Sequence, residues 1–373
     1  MKQEIEAVPL SGPDLGAREE ELVLEVMRSG RLSLGPTIDR FEELLAERVG
    51  APYAAAVSSG TAGLHLLAIT AGIKPGDEVI TSPYSFAASA NCFLYEGGVP
   101  VFADIDPVTL NLDPAAVEAA VTEKTKAIVG VDIYGRPCEL DELRAIAERH
   151  GLAFIGDSCE ALGAEYKGAA LGSHGVPCVF AFYPNKQMTT GEGGCVTTHS
   201  EEEWRIIRSL RNQGRGDSGG WLEHVRLGFN YRLSDVAAAM GIGQLERLDE
   251  ILAARSRVAE QYNELLREID GVELPMPDDA DHIRSWFVYV VLLPDNATRE
   301  RVIATFEREG IGYNRYLPSI HLQPYMRERY GFGEGMCPVS EDASSRSLAL
   351  PFFNDLQPDA QQRVADVLAS AIG

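Results

Sequence analysis

The sequence predicts an α/β protein: a large domain, residues 1–250, whose sheet carries helices on both faces, then a smaller α+β domain, residues 251–373. Three observations carry that prediction. A chain of 373 residues with 45% hydrophobic and 24% charged residues has the size and composition of a soluble globular protein with room for two cores. Short apolar runs alternate with helical patterns through the first half. Past residue 233 the alternation gives way to one long helical stretch and then to a shorter mixture of strand and helix patterns.

Residues 53–57 are an apolar run followed by a helical pattern over 61–71; the pairs 78–81 and 86–95, 99–103 and 114–120, and 127–131 and 140–150 repeat the theme. Residues 153–155 and 179–182 read as further buried strands. From 233 to about 269, Leu245, Leu248, Ile251 and Leu252 recur at helical spacing, interrupted at Gly241 and Gly243, which predicts a long helical connector. The loop 274–281, rich in Pro and Asp, is a boundary signal. Beyond it, 286–293 reads as a strand, 299–309 as a helix, 313–317 as extended chain and 359–372 as a closing helix.

Composition excludes several functions. Lys+Arg of 33 against Asp+Glu of 56 gives a net charge of −23, so no general nucleic-acid surface is expected, and acidic ligands must find local basic pockets. The opening residues 1–16 lack the apolar run of a signal peptide, and no later stretch is long and uninterrupted enough to span a bilayer. The six cysteines form no CxxC pair, so neither a zinc site nor a disulfide framework is expected, and a cytoplasmic location fits.

Ligands of such sheets sit at the carboxyl ends of the strands, and chemistry-bearing residues cluster there. Ser58-Ser59-Gly60-Thr61-Ala62 follows the first core strand and opens a helix, where unpaired amides, hydroxyls and the helix dipole suit a phosphate; a plain N-cap would use Ser59 or Thr61 alone. No GxxxxGK[ST] occurs, and the one GxGxxG, Gly214 to Gly219, follows a polar helix where a dinucleotide site needs a strand. Asp157 ends an apolar run, so it reads either as a helix cap or as a carboxylate at the ligand edge in need of a cation. Phe86 lies just past a strand and could stack on a flat ring or belong to the core. Lys186 stands between an apolar strand and the cluster Gly191, Gly193 and Gly194; a lysine that bonds to carbonyls needs such partial burial. Amine, phosphate cradle, strand-end carboxylate and stacking aromatic are together the parts of a pyridoxal phosphate site.

Their order and spacing resemble the DegT-type sugar aminotransferases, fold type I pyridoxal phosphate enzymes that aminate keto sugars, usually nucleotide-linked. The resemblance runs from Gly30-Arg31-Leu32-Ser33-Leu34-Gly35-Pro36 through Pro83-Tyr84-Ser85-Phe86, Asp157-Ser158-Cys159-Glu160-Ala161 and the Lys186 segment to Asn230-Tyr231-Arg232 and His321-Leu322-Gln323-Pro324. It implies a mixed, mostly parallel sheet, and an amino group passed from a donor, glutamate, to a keto sugar. Lys186 would then bond to the cofactor and move the proton, Asp157 would hold the ring nitrogen, and Phe86 would stack on the ring. Gly60, Thr61 and Ala62 would bind phosphate. Asn230 would reach the phosphate of a neighbouring subunit, which implies a homodimer with shared sites.

Two positions depart from the commonest family pattern. Ala181 stands where many members carry a phosphate-binding serine, and Glu160 where a glutamine often bonds the ring hydroxyl. A carboxylate there accepts a proton but donates none unless protonated. For an anionic acceptor Arg211, Arg215, Arg232 and Arg315 are candidate cations, and His321 matches a family position near the sugar. Two other functions are compatible with the fold. A pyridoxamine-dependent sugar dehydratase would replace the lysine, typically with histidine, and a regulatory protein would keep the cofactor without turnover.

Overall fold

The computed structural model describes residues 7–216 and 223–373. Helices α1 (Ala17–Ser29) and α2 (Pro36–Val49) come first, each closed by a left-handed glycine, Gly30 at φ 72° and Gly50 at φ 70°. Strands and helices then alternate: β1 (Tyr53–Val57), α3 (Gly60–Thr70), β2 (Glu78–Thr81), α4 (Ala88–Leu94), β3 (Val99–Phe102), α5 (Pro114–Ala120), β4 (Thr125–Val131), α6 (Leu140–His150) and β5 (Ala153–Asp157). Two-residue strands β6 (Glu165–Tyr166) and β7 (Ala169–Ala170) precede β8 (Cys178–Ala181), β9 (Gly194–Thr198) and α7 (Glu201–Arg211).

The main sheet has seven strands in the order β1-β9-β8-β5-β4-β2-β3. Only β9 runs against its neighbours, so the sheet is mixed and mostly parallel, as expected. Alternate residues of its middle strands enter opposite cores. Ala54, Ala56, Phe180 and Cys195 face α2 and its neighbours, whereas Ala55, Val57, Val179 and Val196 face α3 and α4.

The long helical stretch is two helices, α8 (Asp235–Glu246) and α9 (Leu248–Leu266), and the break falls at Arg247, not at the glycines. The Arg247 guanidinium bonds Asp14 at 2.7 Å and Glu19 at 2.9 Å. Gly241 and Gly243 serve packing instead: a Cβ on the first would lie 2.5 Å from Phe41, and on the second 2.9 Å from Glu19. Residue 250 lies in the first turn of α9.

The rest comprises β10 (His282–Ile283), β11 (Tyr289–Leu292), α10 (Asn296–Arg308), α11 (Pro324–Tyr330), α12 (Pro338–Arg346), β12 (Ser347–Leu350) and α13 (Pro358–Ile372). Tyr262, Val291, Phe306, Leu348 and Leu368 form its core, which also takes in Val8 from the start of the chain. Residues 313–317 stay largely outside regular structure, with a single bridge from Asn314 to Ala349. No helix among the described residues is long and apolar enough to cross a membrane.

Candidate active site

At the carboxyl edge of the main sheet lies a cavity of about 500 Å³ whose walls include Gly60, Thr61, Phe86, Asp157, Glu160 and Lys186. Those residues come from four separate stretches of sequence. The cavity has the size usual for small-molecule and cofactor sites.

The first wall is the start of α3. Ser59, extended at φ −168°, caps the helix by accepting the Ala62 N–H at 3.1 Å. That bond occupies the Ala62 amide, and Ala62 is 5% exposed and does not line the cavity. The amides of Gly60 and Thr61 lie in the first turn, where a helix offers them no internal acceptor. Gly60 has to be glycine, because a Cβ there would stand 2.8 Å from Cys159 Sγ and 2.9 Å from Ala181 Cβ. The alanine at 181 is thus part of the seat on which the helix end rests.

Asp157 closes β5 and is 6% exposed. Its Oδ2 accepts the Ser89 hydroxyl at 2.6 Å and its Oδ1 accepts the Cys159 N–H at 3.3 Å. Ser85 in turn bonds Ser89 at 2.6 Å, and Asp157 makes no ion pair among the described residues. A buried carboxylate held only by neutral donors is matched to a cation arriving from the cavity.

Lys186 lies in the loop between β8 and β9, fixed at its root by Phe182 N–H donating to Gly193 O at 3.0 Å and by Lys186 N–H donating to Tyr183 O at 2.9 Å. Its Nζ stands 3.4 Å from Glu160 Oε1 and 3.7 Å from the centre of the Phe287 ring. Glu160 is 8% exposed, and its other oxygen accepts the Tyr134 N–H at 2.9 Å. Burial pushes the Glu160 carboxyl above the usual range, and Lys186 and the Tyr134 amide oppose the rise. Cys159 is pushed well above an ordinary thiol by burial and by Asp157 beside it, so it is no ready nucleophile.

Phe86, 66% exposed, flanks the mouth. The remaining sequence candidates lie off the cavity walls. Asn230 is exposed and pairs with Asn212, to which Arg232 also donates at 3.0 Å. Arg315 is exposed and bonds Glu300 at 2.6 Å. Arg211 is 7% exposed and paired with buried Glu42, so its charge is spent inside the fold. His321 is fully buried, with Nε2 3.0 Å from Glu341, and is closed off from the cavity. Of the GxGxxG stretch, residues 217–219 lie outside the described residues.

Sequence reading missed several wall and support groups. Ser85 and Ser89 are two hydroxyls four apart where the chain enters an apolar helix, a pattern that could have flagged them. Phe287, Tyr316 and Asn185 line the cavity, and Gln187 ties the Lys186 loop to Ser285 O at 3.0 Å. Phe287, Tyr316 and Ser285 reach the site from more than 90 residues downstream of Lys186, and no local pattern marks them.

Among known proteins, the model of the DegT/DnrJ/EryC1/StrS aminotransferase family matches residues 13–369. The chain is 37% identical over 379 residues to the spore coat polysaccharide biosynthesis protein SpsC of Bacillus subtilis (strain 168), covering 98% of this chain and 97% of that one. It is similar to the solved structure of DesV from S. venezuelae, with a TM-score of 0.91 and 32% identity over 98% of each chain. It is similar as well to Spr1654 from Streptococcus pneumoniae in its PLP-form, with a TM-score of 0.93 and 25% identity over 98% of this chain and 99% of that one. The architecture is that of fold type I aminotransferases. The chain belongs to the DegT/DnrJ/EryC1/StrS aminotransferase family and is a pyridoxal phosphate-dependent sugar aminotransferase.

Proposed function

We propose that the enzyme moves an amino group from glutamate to a nucleotide-linked keto sugar. One observation carries the assignment of roles: Lys186, Asp157 and the first turn of α3 face a single cavity. These residues fit pyridoxal phosphate by their chemistry. The unpaired amides of Gly60 and Thr61 suit its phosphate, the neutral-donor seat of Asp157 suits its ring nitrogen, and Phe86 suits a ring face. When bound, the cofactor supplies an electrophilic carbon and an electron sink.

The chain's own groups then do the following. Asp157 keeps the ring nitrogen protonated by ion pairing, with Ser89 orienting the carboxylate. Lys186 Nζ would move a proton between the substrate carbon and the cofactor's imine carbon, away from the donor in one half-reaction and onto the acceptor in the other. Phe287, 2% exposed, covers the inner side of the amine and keeps water from it.

The charge of the cavity favours a homodimer. Its walls bring one described cation, Lys186, against three carboxylates, Asp157, Glu160 and Glu192. Two phosphate-bearing ligands need more positive or hydrogen-bonding groups than that, and Asn230, exposed on its own chain, could offer hydrogen bonds to a second copy. All six cysteines are free, which suits work in a reducing cytoplasm.

The test is a pair of half-reactions followed by absorbance. Glutamate should bleach the yellow cofactor band of the wild type, and a keto-sugar nucleotide should restore it. Lys186→Ala should do neither. Failure of every amino donor to bleach the band would favour a regulatory role, and water loss from the sugar without amination would favour a dehydratase.

A further inference from the structure

The carboxylate of Glu160 is the second titratable group within reach of the reacting amine, and its surroundings are unusual. It is 8% exposed, Oε2 is fixed by the Tyr134 N–H at 2.9 Å, and Oε1 points at Lys186 Nζ from 3.4 Å. Tyr134 is itself locked, in the left-handed region at φ 54°, so the amide that holds Glu160 does not follow side-chain motion. One oxygen is thus anchored and the other is directed at the amine.

We propose that Glu160 is the proton store of Lys186: it takes one proton from the lysine ammonium when the amine must act as a nucleophile or a base, and gives it back when the ion pair re-forms. The N–H bond at Nζ breaks, an O–H bond forms at Oε1, and the electron pair stays on nitrogen. No other reactant is required. The inference rests on the assignment of Lys186 as the reacting amine.

The argument is electrostatic. Lysine is a poor nucleophile while protonated, and releasing its proton to water would change the net charge of the cavity. Passing the proton to Glu160 converts an ion pair into a neutral pair, so the cavity's net charge stays constant. The other titratable groups around the pair are Asp157 at the end of β5 and Cys159 just after it, Tyr183 and Glu192 on the Lys186 loop, Tyr134 after β4, Tyr84 after β2, and Tyr316 from the C-terminal part. Burial pushes Tyr84, Tyr134, Tyr316 and the thiol upward and keeps them neutral, so they do not compete for the proton near neutral pH. Asp157 repels a charge on Glu160 and favours its protonated form, which is the form the store must reach. A glutamine at this position would preserve the bond from Tyr134 but could hold no proton.

The experiment uses the full chain without cofactor. Competitive acetylation of Lys186 across a pH series, read by mass spectrometry of its peptide, gives the midpoint at which the amine becomes reactive. In Glu160→Gln the ammonium loses its counter-charge, and the midpoint should fall by about 1–3 pH units. Glu160→Asp, which keeps a carboxylate, should return it toward the wild-type value. An unchanged midpoint in Glu160→Gln would overturn the proposal. So would an equal fall in Glu160→Asp, since the effect would then be one of shape and not of charge.

A parallel sample of wild type is loaded with pyridoxal phosphate and treated with borohydride. If Lys186 carries no adduct, the assignment of the reacting amine fails, whatever the variants do. If it carries one and the midpoints coincide, only the role of Glu160 fails. Should Glu160→Gln not fold, Glu160→Ala takes its place and is read in the same way: the midpoint should fall, and an unchanged midpoint would overturn the proposal.

Discussion

Arg211 offers the sharpest separation of a structural from a substrate-binding cation. It and Glu42 are 7% and 6% exposed, and the guanidinium also donates to Ala56 O at 2.5 Å while Glu42 accepts the Ala56 N–H at 2.8 Å. The pair therefore clamps both backbone groups of a β1 residue four positions before Gly60. Replacing Arg211 by methionine leaves a carboxylate inside the fold with one amide donor, a situation that costs about 3–5 kcal/mol. That is a loss of roughly two to three and a half orders of magnitude in the folded-to-unfolded ratio. Arg211→Met should accordingly lower the urea midpoint strongly. Adding Glu42→Gln should recover most of the loss, because the amide still accepts from Ala56 N–H and can donate to Ala56 O. If Arg211 instead served an anionic substrate, the single variant would unfold near the wild-type midpoint with a raised KM. A stability loss below about 1 kcal/mol would refute the buried-pair reading.

Three further perturbations follow from the geometry. Gly60→Ala pushes a methyl group into Cys159 and Ala181, so it should cost about 1–3 kcal/mol of stability and weaken cofactor binding; unaltered melting and cofactor titration would contradict this. Ser89→Ala removes the hydroxyl that Asp157 accepts at 2.6 Å, and cofactor affinity should fall about tenfold with little change in fold, measured by absorbance titration. Asp132, fully buried between Ser158 and the Cys138 amide, is pushed up to about 6 by burial. Its folded-state value lies above that of an exposed aspartate near 3.9, so the stability it contributes is present below about pH 4 and lost as pH rises through about 6. Asp132→Asn should therefore gain on wild type by roughly 2 kcal/mol between pH 4 and pH 7, and an equal stability difference between the two proteins at both pH values would contradict it.

What the sequence revealed and what it hid have separate physical causes. The parallel strands were legible because burial on both faces turns them into unbroken apolar runs, and residues 78–81 and 127–131 coincide with or fall within β2 and β4. Gly60, Asp157 and Lys186 were legible because each follows such a run. Strands β6, β7 and β10 have two residues each, too few for any period to register. The break at Arg247 was hidden because two carboxylates from the start of the chain set it, whereas the glycines nearby look like breakers and are contact points. The sequence left His321 and Arg211 open for one reason: a polar side chain in sequence does not disclose whether its partner is a ligand or a buried glutamate. Glu341 and Glu42 are those partners, 20 and 169 residues away.

The antiparallel strand explains how the Lys186 amine is held at the cavity. β8 and β1 run in the same direction, and β9 returns between them, so the chain leaves the sheet at Ala181 and re-enters it at Gly194 on the adjacent strand. The loop that carries Lys186 is therefore closed at its base by sheet hydrogen bonding, and Thr190 N–H donates to Phe182 O at 3.0 Å to tighten it further. A crossover helix at this point, as elsewhere in the sheet, would have put the lysine on a longer connection. Because the backbone is held, the proton movement proposed at Nζ would need only rotation of the lysine side chain between the Glu160 carboxylate and the cavity. The same closure brings Gly194 against the start of α3, where a Cβ would lie 2.7 Å from the Gly60 nitrogen. The Lys186 loop and the first turn of α3 are thus in direct contact, and lengthening the loop between residues 183 and 193 should loosen both at once.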